Sequence, residues 1–162
     1  MSAETWIRDG ELRFELDVSL DPGQTVHPIG LVRSPWEERG QCPKNLRDAR
    51  ERDGWAHLEI EEAFRPALTS LQSGQWIHVL TWLDRGRRDL ALQMPRHASE
   101  PLGTFSLRSP VRPNPIGLHL VRIMELDMAK GVVRLDAIDV LDRTPLLDIK
   151  PYLPSVDRPP ED

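Results

Sequence analysis

Fifteen prolines in 162 residues fall mainly between short runs of alternating hydrophobicity, and this arrangement limits the fold more than any other feature of the chain. Proline lacks a backbone N–H and locks φ, so it is excluded from helix interiors and central strands and collects in connections. The runs themselves have a period of two. In "ELRFELDVSL", Leu12, Phe14, Leu16, Val18 and Leu20 alternate with Arg13, Glu15, Asp17 and Ser19, the pattern of a half-buried strand. "WAHLEI" (55–60) alternates less cleanly, and "WIHVLTWL" (76–83) is apolar on both faces and predicts a central strand covered on both sides. "IGLHLVRIMEL" (116–126) and "GVVRLDAIDVL" (131–141) predict two more strands, joined as a hairpin around Ala129, Lys130 and Gly131, and "GTFSL" (103–107) a further short one. One short helix is expected over "RPALTSLQSG" (65–74), with Pro66 at a first helical position and Gly74 as the stop. The predicted class is all-β, a barrel or sandwich with long proline-stiffened loops, in one domain over residues 1–162 with its core at about 27–157. The tail carrying Pro151, Pro154, Pro159 and Pro160 is expected to be extended.

A formal charge of −5 argues against binding nucleic acid through a bulk positive field. A local patch remains open. Arg47, Arg50 and Arg52 lie in the long polar stretch 33–54, and Arg85, Arg87 and Arg88 in "DRGRRD"; the alternative is a solvated surface laced with ion pairs. Cys42 is alone, and the five histidines form no HxH or HxxxH pair, so neither a disulfide nor a zinc site is expected. His78, in mid-strand, reads as a satisfied core histidine. The charged N-terminus is no signal peptide, and no run approaches the ~20 apolar residues of a membrane helix, so a soluble cytoplasmic protein is expected, with no membrane partner. Neither GxGxxG nor a P-loop occurs.

Two segments carry possible chemistry. In "RSPVRPNPIGLH" (108–119), Ser109, Arg112 and Asn114 each precede a proline and are pushed away from helical dihedrals, so the loop is stiff. It is either a rigid crossover or a preorganised site presenting Arg108, Arg112 and Asn114 to an anionic or planar ligand. In "DVLDRTPLLDIKPY" (139–152), Asp142 to Pro145 forms a plausible turn in which Asp142 bonds backbone amides; the other reading is a ligand site built from its carboxylates and free backbone groups.

Taken together, "IGLVRSPW", "FSLRSPVRPNPIGL" and "DRTPLLDIKPYLP" resemble the three signature blocks of the YaeB/TrmO-like (TsaA-like) proteins, over about Ile29 to Asp157. The resemblance implies a β-barrel methyltransferase using S-adenosylmethionine, a homodimer, and N6-methylation of threonylcarbamoyl-adenosine beside the tRNA anticodon. Other readings are a methyltransferase for a different small molecule and a non-catalytic cofactor-binding module. By motif position the resemblance implies cofactor contacts at Asn45, Leu46 and Arg47, at Asp84 and Arg85, at Arg108, at Leu118, and at Asp142, Arg143, Thr144, Pro145 and Leu146. Asn45 stands where the family has glutamine, Asp84 where it has histidine, Arg143 where it often has glycine, and His119 where serine is usual. Attack by a ureido-type N6 requires loss of a proton, for which Asp142, Asp84 and His119 are the candidate acceptors.

Overall fold

A computed structural model describes residues 6–15 and 23–162, and the chain divides into two compact units. The first comprises Met1–Thr25 and Leu83–Ile116, the second Val26–Trp82 and Gly117–Asp162.

The second unit is a closed six-stranded barrel. Its strands are β2 (Gly30–Arg33), β3 (His57–Ile60), β4 (Trp76–Trp82), β7 (Ile116–Asp127), β8 (Val132–Leu135) and β9 (Thr144–Pro151), in the order β2-β3-β8-β7-β4-β9, with β9 pairing back onto β2. The alternation seen in the sequence selects the faces. Val32, Leu58, Ile77, Val79, Val121, Ile123, Val133 and Leu146 are fully buried and fill the interior. Burying a large aliphatic side chain such as Leu58, Ile77 or Ile123 contributes about 1.5–3 kcal/mol. Gly30 is required by a close approach, because a Cβ there would press into the Glu59 carbonyl of β3. The β7–β8 hairpin forms as expected, with Gly131 at φ +67°, a conformation glycine adopts without penalty.

The first unit carries a three-stranded sheet, β1 (Leu12–Arg13), β5 (Leu90–Gln93) and β6 (Leu102–Gly103), in the order β1-β5-β6. The expected strand over 11–20 reduces to β1, and its continuation through Leu16, Val18 and Leu20 lies outside the described residues. Past β6, "GTFSL" turns into a 3-10 turn, Thr104–Ser106, because the Thr104 hydroxyl bonds inward to the Leu90 carbonyl at 2.6 Å.

Several local expectations need correction. The helix expected at 65–74 is a 3-10 helix over Glu62–Leu68 with Pro66 inside it. The strand expected over 131–141 stops at Leu135, after which Ala137, Ile138 and Val140 are buried in an irregular segment; apolar residues mark burial there without marking pairing. β4 is fully covered on one face only: Ile77, Val79 and Thr81 are buried, while on the other face Trp76 is exposed and His78, Leu80 and Trp82 are half-buried. The polar stretch 33–54 contains helix α1 (Leu46–Glu51), and the tail forms a short helix, α2 (Pro154–Asp157). His78 is half-buried on the outer face of β4, beside Tyr152 and 3.5 Å from Asp157 Oδ2, and is not a core residue. The buried histidine is His119.

Candidate functional site

In the first unit the proline-rich segment is held carbonyl by carbonyl. Prolines at 110, 113 and 115 have no N–H to give, and the loop's carbonyls must find donors elsewhere. Arg112 turns back on its own loop, one terminal nitrogen donating to the Leu107 and Ser109 carbonyls at 2.9 and 3.0 Å. Gln93 donates to the Val111 carbonyl at 2.7 Å, Arg88 to that of Pro113 at 2.6 Å, and the Leu83 amide to that of Pro115 at 2.7 Å. Gly86 lets the 83–86 turn pass against the loop, since a Cβ there would sit 2.8 Å from the Pro110 carbonyl. The segments "DRGRRD" and "RSPVRPNP" are therefore one structure. Arg112 is spent on holding it, whereas the exposed side chains of Arg108, Asn114 and Asp84 have no hydrogen-bond or ion-pair partner among the described residues. Arg85 is also exposed.

In the second unit the turn leading into β9 is organised by Asp142. Its carboxylate accepts from Arg33 Nε at 2.8 Å, Arg33 Nη2 at 3.4 Å and the Ser34 amide at 3.1 Å, while Arg33 also reaches Glu59 at 3.2 Å. Burial acts to raise the Asp142 carboxyl, but the Arg33 hydrogen bond, the Ser34 amide and the Arg33 charge together bring it below the ordinary carboxylate range. A carboxylate so held is a poor proton acceptor. The Thr144 hydroxyl donates to the Leu141 carbonyl at 2.7 Å, Leu146 is fully buried, and Pro145 lies opposite Leu31 in the β2–β9 pairing. Of this turn, the Arg143 side chain is the one left exposed.

Arg143 has φ +65°, a left-handed conformation that glycine adopts without penalty, so the glycine that the family resemblance implies at this position would suit the turn. Its contact with Asp142, at 3.9 Å and with the Arg143 side chain 74% exposed, offsets little of that strain. Arg143→Gly is expected to stabilise the protein by up to about 1 kcal/mol, the relief of a left-handed side-chain clash less the added freedom of the unfolded chain. A denaturant melt with an unchanged or lower midpoint would contradict it.

Asn45 is the N-cap of α1. Its side chain accepts the Asp48 amide at 2.9 Å, and Asp48 in turn accepts the Lys44 amide at 2.9 Å and pairs with Arg52. Leu46 is half-buried, and Arg47 projects into solvent, paired loosely with Glu51. Arg50 and Arg52 form ion pairs with Asp136 and Asp48, as the solvated-surface reading of that charge run anticipates. Leu118, on the outer face of β7, is 52% exposed.

His119 lies inside the barrel, 5% exposed, with both ring nitrogens engaged: Nδ1 is 2.8 Å from Asp139 Oδ1 and Nε2 is 2.9 Å from Thr81 Oγ1. An ionised carboxylate only accepts, so Nδ1 donates to Asp139, and Nε2 completes the network with the Thr81 hydroxyl. Gly117 makes room for this network, because a Cβ there would collide with Thr81 Oγ1. Asp139 also approaches the barrel's other flank. Cys42 donates to its carbonyl at 3.2 Å, and burial, then the Asp139 charge, push that thiol up to about 11, leaving it neutral near pH 7. Thr81, Arg33 and Gln93 carry no sequence signal of their own, although Arg33 lies within "IGLVRSPW"; Asp139 is one of the carboxylates of "DVLDRTPLLDIKPY", but nothing in the sequence pairs it with His119.

Away from these residues, a groove of about 500 Å³ runs over the outside of the barrel between His57, Glu125, Lys130 and Arg134. It contains none of the candidate site residues read from the sequence. No helix among the described residues is long and apolar enough to cross a membrane.

Residues 31–158 match the family described as the tRNA-methyltransferase O N-terminal domain. The chain is 38% identical over 132 residues to a probable S-adenosyl-L-methionine-binding protein of Archaeoglobus fulgidus, covering 82% of this chain and 35% of that protein. It is 30% identical over 139 residues to the tRNA (adenine(37)-N6)-methyltransferase of Escherichia coli, covering 82% of this chain and 59% of that enzyme. The crystal structure of TrmO from Pseudomonas aeruginosa superposes with a TM-score of 0.67 at 31% identity, over 86% of this chain and 60% of that one. The chain thus spans between about a third and three fifths of the length of these three relatives.

Proposed function

Because the chain belongs to the tRNA-methyltransferase O N-terminal domain family, we propose that it transfers a methyl group from S-adenosylmethionine to the N6 nitrogen of a modified adenosine beside the tRNA anticodon. The observation that carries this reading is the extent of the match, which includes both the proline-rich loop and the Asp142 turn. When bound, S-adenosylmethionine supplies an electrophilic methyl on a sulfonium.

The available side chains suit such a ligand. Arg108 offers a planar donor set for a carboxylate or an adenine face, Arg143 and Arg47 are exposed cations, and Leu118 offers an apolar surface. Asn45, Thr144 and Leu146 have their side chains committed elsewhere, so any part they play runs through the backbone or through packing. The chain's remaining task is to align the nucleophile and accept its proton. Of the three acceptors considered, Asp142 is bound to Arg33 and His119 is enclosed in the barrel, while Asp84 is exposed and unpaired among the described residues. Asp84 therefore takes that role in this reading.

Incubation of the protein and labelled cofactor with total tRNA from a strain deleted for its gene is expected to place label in tRNA. Label in the small-molecule fraction alone would favour a smaller acceptor, and no label in either would overturn methyl transfer. Arg108→Ala is expected to weaken S-adenosylmethionine binding about tenfold in calorimetry, the scale of a lost charge-assisted contact; unchanged affinity would remove Arg108 from the cofactor contacts. A homodimer fits the exposed Leu118 and Met124 on the outer face of β7, and light scattering of the full chain tests it. A tRNA substrate places the reaction in the cytoplasm.

A further inference from the structure

Arg88, Gln93 and Arg112 are not among the contacts implied by the family motifs, yet their donors meet four carbonyls of one nine-residue stretch, 107–115. Gln93 is 7% exposed and sits at the end of β5, where its amide nitrogen also donates to Thr104 Oγ1 at 2.9 Å. The loop is thereby tied to a strand of the sheet. Arg88 adds a second tie at Pro113, and Arg112 closes the loop on itself immediately beyond Arg108. A segment with three prolines cannot pair with a strand to satisfy these carbonyls, so without the three side chains they turn to water and the loop samples many conformations.

We propose that Arg88, Gln93 and Arg112 are positioning residues for cofactor recognition, which set the affinity for S-adenosylmethionine by holding the loop that presents the unpaired Arg108 guanidinium. This rests on the reading of Arg108 as a cofactor contact. The physical basis is preorganisation: a contact made by an already ordered loop loses less conformational freedom on binding than one made by a loop that must first be ordered.

The test is calorimetric titration of the full chain with S-adenosylmethionine, comparing Arg112→Leu, Arg112→Lys and Arg108→Ala with the Arg108→Ala/Arg112→Leu double variant. Arg112→Leu is expected to weaken binding about five- to tenfold. Arg112→Lys recovers most of it, because an ammonium has donors for both carbonyls. In the Arg108→Ala background, Arg112→Leu produces no further loss, since its effect runs through Arg108. Arg88→Ala, tested in the same two backgrounds, replaces it if Arg112→Leu does not melt cooperatively, and Arg96→Ala, an exposed residue, serves as the neutral control. Additive losses in the double variant, or unchanged affinity in a folded clamp variant while Arg108→Ala weakens binding, would overturn the proposal alone. Unchanged affinity in Arg108→Ala would instead overturn the reading of Arg108, and the clamp's role with it.

Discussion

His119→Ala is expected to destabilise the protein by about 3–4 kcal/mol, the combined cost of a cavity in the barrel and of stranding buried polar groups. For a chain of this size that corresponds to a fall in Tm of about 8–12 °C. Among the described residues the imidazole is the only partner seen for the Thr81 hydroxyl, which is fully buried, and it also holds one oxygen of Asp139. Removing it strands the Thr81 hydroxyl and takes a donor from Asp139, whose side chain is 19% exposed. His119→Ser restores the side chain usual in the family but is expected to lose nearly as much, because a serine hydroxyl cannot span from Thr81 to Asp139. Thr81→Val combined with His119→Leu should cost less than the sum of the two single changes, since it removes donor and acceptor together. Chemical denaturation of the wild type, His119→Ala, His119→Ser, the Thr81→Val and His119→Leu single variants and their double variant decides the matter. A loss below about 1 kcal/mol for His119→Ala would show that water takes the imidazole's place and that the network adds little.

Asp142→Asn should cost about 2–3 kcal/mol near pH 7, as expected when charge-assisted hydrogen bonds lose their ionised acceptor. Asp142 joins two segments distant in sequence, its own turn and residues 33–36, since its carboxylate takes donors from Arg33 and Ser34 while its amide donates to the Trp36 carbonyl at 2.7 Å. Its titration sets the pH dependence. The folded-state value lies below the unfolded one, so the native state holds fewer protons than the unfolded state in the window between them. The contribution is therefore fully present above the unfolded value of about 3.9 and is lost as pH falls through the lower folded value. The gap between wild type and Asp142→Asn should be constant from pH 7 to pH 5 and should narrow in stronger acid. Denaturation midpoints measured across that range test it, and a gap independent of pH would mean that shape, not charge, is what the turn requires.

The sequence was most legible where a side-chain pattern repeats along one strand. β7 alternates over twelve residues, enough to reveal the strand and, with the apolar run that follows it, the turn at Gly131. β2 and β5 have four residues each, too few for alternation to rise above chance, and β5 owes its place to pairing with β1 and β6. α1 was hidden for a related reason: among its six residues only Ala49 is buried, so it has no apolar stripe, and its start is marked by the Asn45 cap instead. The stiffness of the proline-rich loop could be read directly, because proline acts locally. What holds its carbonyls could not, since Gln93 and Arg88 are 18 and 25 residues from the carbonyls they serve. The same applies to His119, whose partners stand 38 and 20 residues away. Nothing in a single sequence distinguishes such a histidine from one that faces solvent.

Closure of the barrel has a consequence for what this half of the chain can join. With β9 paired to both β2 and β4, the sheet closes on itself and each barrel strand has a strand neighbour on both sides, so none stands as a free edge strand for another chain to extend. Contact with a second polypeptide or with a nucleic acid is therefore expected to run mainly through side chains and loops. The sheet of the first unit differs in this respect, for among the described residues β1 and β6 each have one neighbour. Those strands are two residues long, a length that offers a foreign strand almost nothing to pair with.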